Sequence, residues 1–233
     1  MRPDREEMTV TDAAEAQDEM AGCHPAGRRV AGEDPAKREQ IIEGAKRVFL
    51  RGGFDSVSMN DITREAGVSK GTIYVYFENK EDLFAAMIQQ ERSRVVETVR
   101  HKLDEKKPLR QTLIEFGVTL ATHITAEPTI RAMRIVLGVT DRMPQLACGF
   151  FGATPENGHT VLHAFLKRKV AAGELAIPDP DLASRQFIEM AMAGMFKQRL
   201  FGVMAEPPTE AMLDYTVSSA ADVFLKSYLP EHG

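Results

Sequence analysis

Between Ser58 and Lys80 the chain reads SMNDITREAGVSKGTIYVYFENK, a run that admits little besides two short helices joined by a tight turn, with a third helix starting behind them. Gly67 in A-G-V marks the turn, because glycine takes a positive φ without the steric cost of a Cβ and so ends a helix cleanly. Ser58 and Asp61 have the S-x-x-D spacing of a capping box, which predicts a first helix beginning near Met59. Met59, Ile62 and Ala66 then share one face, Thr63, Arg64 and Glu65 lie outside, and Val68 closes the turn. The second helix opens with small or basic residues, Ser69, Lys70, Gly71 and Thr72, and turns aromatic at Tyr74, Tyr76 and Phe77. Asn79 and Asp82 repeat the cap spacing, so a new helix starts at Lys80.

This is a helix-turn-helix layout, whose second helix enters the major groove of duplex DNA. Small residues at its leading end allow close approach. Thr72, Tyr74 and the backbone at Gly71 are expected to face the groove, with Ser69 beside them and Lys70 on a base or a phosphate. Ser58, Tyr76 and Lys80 suit positioning on the sugar-phosphate backbone. The free N–H groups of the helix that starts at Lys80, together with its ammonium, make a phosphate clamp.

From Arg38 to Phe84 the chain resembles the DNA-binding domain of the TetR family of bacterial transcriptional regulators. The resemblance rests on A-K-R-V-F-L-R-G-G-F, on S-M-N-D-I-T-R-E-A-G-V-S-K-G-T-I-Y-V-Y-F and on N-K-E-D-L-F, and it covers roughly a fifth of the sequence. It implies a helical homodimer that binds a palindromic double-stranded operator, usually as a repressor, and is released by a small inducer held in a larger C-terminal domain. A-A-G-E-L ahead of D-P-D-L-A-S-R-Q-F is similar to the AcrR and AefR-like branches of that family.

Net charge is −5, which by itself disfavours a phosphate-bearing partner. The distribution reverses that inference. Residues 1–34 hold four arginines against nine acids, 35–103 hold twelve basic residues against ten acids, and the remainder holds thirteen against fifteen. The helix-turn-helix lies in the one positive segment, and its small excess points to a few placed phosphate contacts. Cys23 and Cys148 are far apart with no C-x-x-C partner, so neither a disulfide framework nor a structural zinc site is expected, and a reducing cytoplasm is the expected compartment. No apolar run is long enough to span a bilayer.

Three parts are expected along the chain. Residues 1–34 are an acidic arm with too few large apolar residues to order itself, carrying the Arg28-Arg29 pair near the reader. Residues 35–80 form a three-helix DNA-binding domain, begun by the Asp34-Pro35 start signal and a helix bearing Ile41, Ile42, Ala45, Val48 and Phe49 as far as Gly52-Gly53. Lys37 and Arg38 at its start are near enough to reach phosphate. Residues 81–233 form a larger helical domain for ligand binding and dimerisation. Helices are predicted over Lys80 to Leu103, Arg110 to Thr125, Thr129 to Arg142, His159 to Ala172, Asp181 to Phe201 and Pro208 to Leu229. Nothing alternates with a period of two, so the whole is read as all-α.

The helix from Asp181 is apolar nearly all round, which requires burial on more than one side. Its Ala191, Ala193 and Gly194, with Ala211, Leu213, Val217, Ala220, Ala221 and Phe224 of the last helix, are expected to pair with a second copy in a four-helix interface. Methionines 133, 190, 192, 195 and 204, with phenylalanines 116, 150, 151, 165 and 187, supply adaptable apolar volume. Each is ordinary core unless a pocket opens among them. For such a pocket Phe116, Met133, Leu137, Phe151, Phe187 and Met190 are the expected lining, with His123, Arg134 and His163 as polar handles for a largely apolar inducer. His159 and His163 have the spacing of two metal ligands, but nothing places a third, and no metal or other cofactor is expected. The absence of G-x-S-x-G, Walker A, G-x-G-x-x-G and H-E-x-x-H motifs argues against an enzyme. A DNA-binding regulator without an inducer remains open.

Overall fold

The computed structural model describes residues 34–146 and 157–230, and among these every regular element is helical. Residues 1–33 of the expected arm, both cysteines, Phe150 and Phe151 lie outside them. Asp34 caps α1 (Pro35–Gly52), accepting from the N–H groups of Ala36 and Lys37 with proline in the first turn. There follow α2 (Met59–Ala66), α3 (Lys70–Tyr76), α4 (Lys80–Arg100), α5 (Leu109–Thr125), α6 (Glu127–Val139), α7 (Gly158–Ala171), α8 (Pro180–Met192), α9 (Met195–Leu200) and α10 (Glu210–Tyr228). The fold is all-α, a three-helix helix-turn-helix unit followed by a larger helical body, as the sequence predicts.

Two apolar cores hold it together. The N-terminal core gathers Ile41, Ile42, Phe49, Ile62, Ile73 and Phe77 from the first three helices, and Phe49, Phe54 and Phe84 pack ring to ring at centroid distances of 5.1–5.8 Å. Leu83, Phe84, Met87 and Ile88 of α4 belong to this core, and so do Val136 and Val139 of α6 with Met143 and Leu146 beyond it. The connecting helix is therefore rooted in the reader over its first two turns. The second core is built on α5, α7, α8 and α10, where Phe116, Phe187, Phe224 and Tyr228 form a chain of rings 4.9–6.5 Å apart.

One predicted helix is broken. The run from Asp181 to Phe201 is split into α8 and α9 by two successive left-handed residues, Ala193 at φ 39° and Gly194 at φ 82°. A left-handed alanine is costly by about 1–2 kcal/mol. Tertiary packing imposes it: the break turns α9 back against α5 and α6, where Arg199 reaches its partners.

The last helix also corrects an expectation. Leu213, Val217, Ala220, Ala221 and Phe224 are buried inside the subunit, and so is Ala191 of α8. Six of the nine residues expected at a dimer seam are thus intramolecular core, while Ala193 and Ala211 are exposed and Gly194 is half-buried. What α8 and α10 leave outside is Leu182, Met212, Tyr215 and Val223, beside a surface groove lined by Gln186, Glu189, Met190, Ser227 and Tyr228. Among the described residues no helix is long and apolar enough to cross a membrane.

Candidate DNA-reading surface

The reader is assembled by caps. The Ser58 hydroxyl accepts from the Asp61 N–H at 3.2 Å while the Asp61 carboxylate accepts from the Ser58 N–H at 3.0 Å, closing the predicted capping box. The Ser58 hydroxyl, which donates to the Asp61 carboxylate, and after it the Ser58 N–H hold that carboxyl below the usual aspartate range. At the other end of α2, Gly67 sits at φ 65° and ψ 39°, and the Val68 N–H returns to the Thr63 carbonyl. The Ala66 carbonyl accepts from Gln40 of α1 at 2.6 Å, and Glu65 pairs with Arg47 and Arg51 of the same helix. Thus α1 grips α2 at the turn.

Ser69 starts α3 by accepting from the Thr72 N–H at 3.0 Å, and the two hydroxyls are hydrogen-bonded at 2.7 Å. Ile73 and Phe77 anchor α3 in the core, and the Arg38 guanidinium lies over the Phe77 ring at 5.3 Å. Successive helical residues turn by about 100°, so Gly71 and Val75 lie farthest from buried Ile73, with Thr72 and Tyr74 on their flanks. Ser58, Ser69, Lys70, Gly71 and Tyr74 are exposed, whereas Thr72, Tyr76 and Lys80 are half-buried. The structure brings the expected DNA-facing residues of α3 onto one protruding turn and a half. Sequence reasoning passed over Val75, which is 63 % exposed; its place on the helical wheel was the available signal.

Asn79 caps α4 by accepting from the Asp82 N–H at 2.8 Å. Lys80, however, has an internal task as well. Its ammonium donates to the Phe54 carbonyl at 2.8 Å and rests 4.4 Å from the Phe54 ring centre. Arg142, beyond α6, approaches the same ring at 5.8 Å and pairs with Asp55 at 2.9 Å, which holds the Asp55 carboxyl low. The end of α6 and the start of α4 therefore meet on one phenylalanine of the reader.

The expected ligand residues fall into separate surroundings. Phe116 and Phe187 are fully buried with ring centres 6.5 Å apart, and Met190 packs against the same core. On α6, Leu137 is exposed, Met133 is half-buried, and Arg134 donates to the Arg199 and Leu200 carbonyls, closing the end of α9. His123 is half-buried on α5. His163 stacks on His159 with ring centres 6.1 Å apart, and His159 contacts the Asp181 carboxylate at 3.1 Å. Burial, ahead of the nearby Arg185 charge, lowers the affinity of His159 for a proton. No group of three metal-ligating side chains occurs among the described residues.

A short exposed helix set by a capped turn on a three-helix base, joined by a long helix to a second helical body, defines a helix-turn-helix transcriptional regulator. Known proteins agree. The model of bacterial regulatory proteins of the tetR family matches residues 41–87, and that of the C-terminal domain of AefR-like transcriptional repressors matches residues 111–230. The chain belongs to the TetR family, with an AefR-like C-terminal domain, and it is a regulator and not an enzyme. The transcriptional repressor AcnR of Corynebacterium glutamicum is 23 % identical over 192 residues, 78 % of this chain and 92 % of that protein. The fatty acid metabolism regulator protein of Bacillus subtilis is 32 % identical over 77 residues, 33 % of this chain; the match spans only 40 % of that relative's length. Among solved structures, the flavonoid-responsive regulator FrrA is 29 % identical with a TM-score of 0.69, covering 85 % of this chain and all of that one. A TetR-family regulator from Mesorhizobium loti shares the fold at a TM-score of 0.77 and 23 % identity, over 85 % of this chain and all of its own.

Proposed function

We propose that this protein is a dimeric repressor that binds a palindromic operator and leaves it when a small, largely apolar molecule enters the C-terminal domain. The observation that carries the reading is the α3 face: Lys70, Gly71, Tyr74 and Val75 stand clear of the fold, half-buried Thr72 lies beside them, and Ile73 and Phe77 fix them from behind. Two such helices from a two-fold dimer enter successive major grooves. Ser58, Ser69, Tyr76 and the start of α4 at Lys80 hold the phosphate backbone, and work on chromosomal DNA places the protein in the cytoplasm. The reading divides the chain into a DNA-binding unit over 35–80 and a ligand-binding and dimerisation unit over 81–233, the start of α4 and the end of α6 packing in the first unit's core.

The outer faces of α8 and α10 supply the dimer contact, since Leu182, Met212, Tyr215 and Val223 are large, apolar and at least two-fifths exposed. Such residues at a seam gain about 25 cal/mol per Å² once covered. The aromatic core around Phe116 and Phe187, with Met190 at its edge, is the apolar volume nearest in chemistry to an inducer. The likeness to a flavonoid-responsive regulator supports a planar hydrophobic ligand. Coupling runs through α6, whose start is held by Arg199 and whose end lies in the reader's core. A ligand that shifts α6 changes the spacing of the two readers and penalises the DNA-bound geometry.

The test is fluorescence anisotropy on the DNA upstream of the protein's own gene, at two salt concentrations, against a scrambled duplex. Tyr74→Ala is expected to weaken selective binding by on the order of tenfold or more with the melting temperature unchanged, because the side chain is exposed. Lys80→Ala should weaken binding and also lower stability, because its ammonium holds the Phe54 carbonyl. Equal affinity of Tyr74→Ala and the parent for the selective duplex would sink the assignment. Added planar hydrophobic compounds that release the DNA would support the inducer; a regulator without one would not respond.

Gly71 gives a second, sharper test. Its φ is not positive, and a Cβ built there would touch only the Ser69 hydroxyl at 3.8 Å. Nothing inside the protein requires glycine, although glycine destabilises a helix by about 0.5–1 kcal/mol relative to alanine. The space is free for the DNA. Gly71→Ala is therefore expected to stabilise the fold by up to about 1 kcal/mol in denaturant titration while weakening operator binding about tenfold. Unchanged DNA affinity would mean that α3 does not approach along this turn.

A further inference from the structure

The pole of α3 is apolar where a hydrogen-bonding side chain would ordinarily stand. Gly71 and Val75, one turn apart, are the two residues pointing most directly away from the core, and Val75 is more exposed than Tyr74, at 63 % against 47 %. A valine offers no donor or acceptor. Set against the edge of guanine, adenine or cytosine, it would strip water from polar groups and leave them unpaired, which is unfavourable. Among the four bases, the major groove presents one apolar group, the C5-methyl of thymine.

Two further features favour contact at depth. Gly71 has no side chain, so the turn before Val75 can come close to the duplex, and an added Cβ there would meet no other part of the protein within 3.8 Å. Val75 is β-branched and in a helix holds essentially one side-chain rotamer, so its two methyl groups are fixed in direction before DNA arrives. A fixed apolar knob beside a gap selects by shape as well as by polarity.

We infer that Val75 is a specificity residue that packs against the C5-methyl group of one thymine in each operator half-site. The inference rests on the proposed role of α3 in reading DNA, and its test separates the two. Duplexes are selected from a random-sequence library with the full-length protein. Each thymine of the enriched half-site is then replaced in turn, symmetrically, by deoxyuridine, which removes the methyl group alone.

The parent protein should lose about fourfold in affinity per half-site at one thymine position, and ten- to twentyfold for the symmetric pair, the worth of one buried carbon at each. Val75→Ala should bind the unmodified duplex more weakly by a similar factor and be insensitive to deoxyuridine at that position. Its melting temperature should equal or slightly exceed the parent's, because the side chain lies outside the core and alanine is the better helix former. If no deoxyuridine position matters, or if Val75→Ala keeps the same sensitivity as the parent, the inference is overturned while the DNA-reading role stands. If the library yields no enriched half-site, both fall together.

Discussion

Replacing Arg199 with leucine should destabilise the protein by about 3–5 kcal/mol, because a buried arginine that satisfies three backbone carbonyls is lost. The residue is the largest fully buried side chain, with 1 % of its surface exposed. Its guanidinium serves four groups: Nε donates to the Thr125 carbonyl at 3.1 Å, Nη1 to the carbonyls of Met204 and Ala205, and Nη2 to the Glu127 carboxylate at 2.6 Å. The location explains the number of bonds. Helix α5 ends at Thr125, whose carbonyl takes its donor from Arg199, α6 begins at Glu127, whose carboxylate takes another, and Nη1 ties in the 204–205 segment that follows α9. Leucine fills part of the volume but leaves three carbonyls without partners, each worth about 1–3 kcal/mol if it stays buried.

The corresponding fall in melting temperature is about 6–20 °C for a chain of this size. Arg131→Ala is the control. Arg131 pairs with the same Glu127 carboxylate at 2.8 Å, but its side chain is 55 % exposed, so its loss should cost about 0–1 kcal/mol. Equal effects of the two variants would refute the assignment of the corner to Arg199. The pH dependence carries a sign as well. Arg131 first, then Arg199, holds the Glu127 carboxyl below its ordinary value of 4.5. The carboxylate's contribution is thus complete above the unfolded value and is lost as pH falls through the lowered folded one. The gap between parent and Arg199→Leu should narrow in acid.

Gly44→Ala should be the most damaging small substitution in the reader. At this crossing of α1 and α2, an added Cβ would lie 2.6 Å from the Ala66 Cβ, 2.8 Å from its Cα and 3.0 Å from its backbone nitrogen. Alanine in a helix gains about 1 kcal/mol over glycine, but two of the three clashes are with backbone, which cannot rotate away. Overpacking of this kind costs about 1–3 kcal/mol, so the net change is a loss of up to about 2 kcal/mol. Function should suffer more than stability. Ala66 is the last residue of α2, and shifting it moves Gly67 and the whole of α3, along with the Gln40 bond to the Ala66 carbonyl at 2.6 Å. DNA affinity measured on the fully folded fraction should therefore fall, which a purely local clash would not produce. A variant that binds DNA as the parent does would show that α2 can yield without carrying α3.

The reader was legible from sequence because its determinants are local. Ser58 with Asp61, Gly67, Ser69, Asn79 with Asp82 and Asp34 with Pro35 each satisfy orphan backbone groups within four residues of themselves, so spacing alone placed α1 to α4. The C-terminal domain was legible only as helices. Whether Leu213, Val217 and Phe224 face a neighbouring helix or a second copy depends on which surfaces meet, and apolar periodicity is the same in either case. The break at Ala193 and Gly194 was invisible for a related reason: alanine is a good helix former, and only the packing of α9 against α5 and α6 drives it into the left-handed region.

Sequence by itself determined the all-helical class and the helix-turn-helix, since capping and turn chemistry act over a few residues, and its motifs carried the resemblance to the family. The tertiary structure alone decided that Lys80 is tied to Phe54, that Arg199 seals the α5–α6 corner and that α6 ends inside the reader's core. Each of these depends on contacts between residues distant in the chain, whose partners no local pattern specifies.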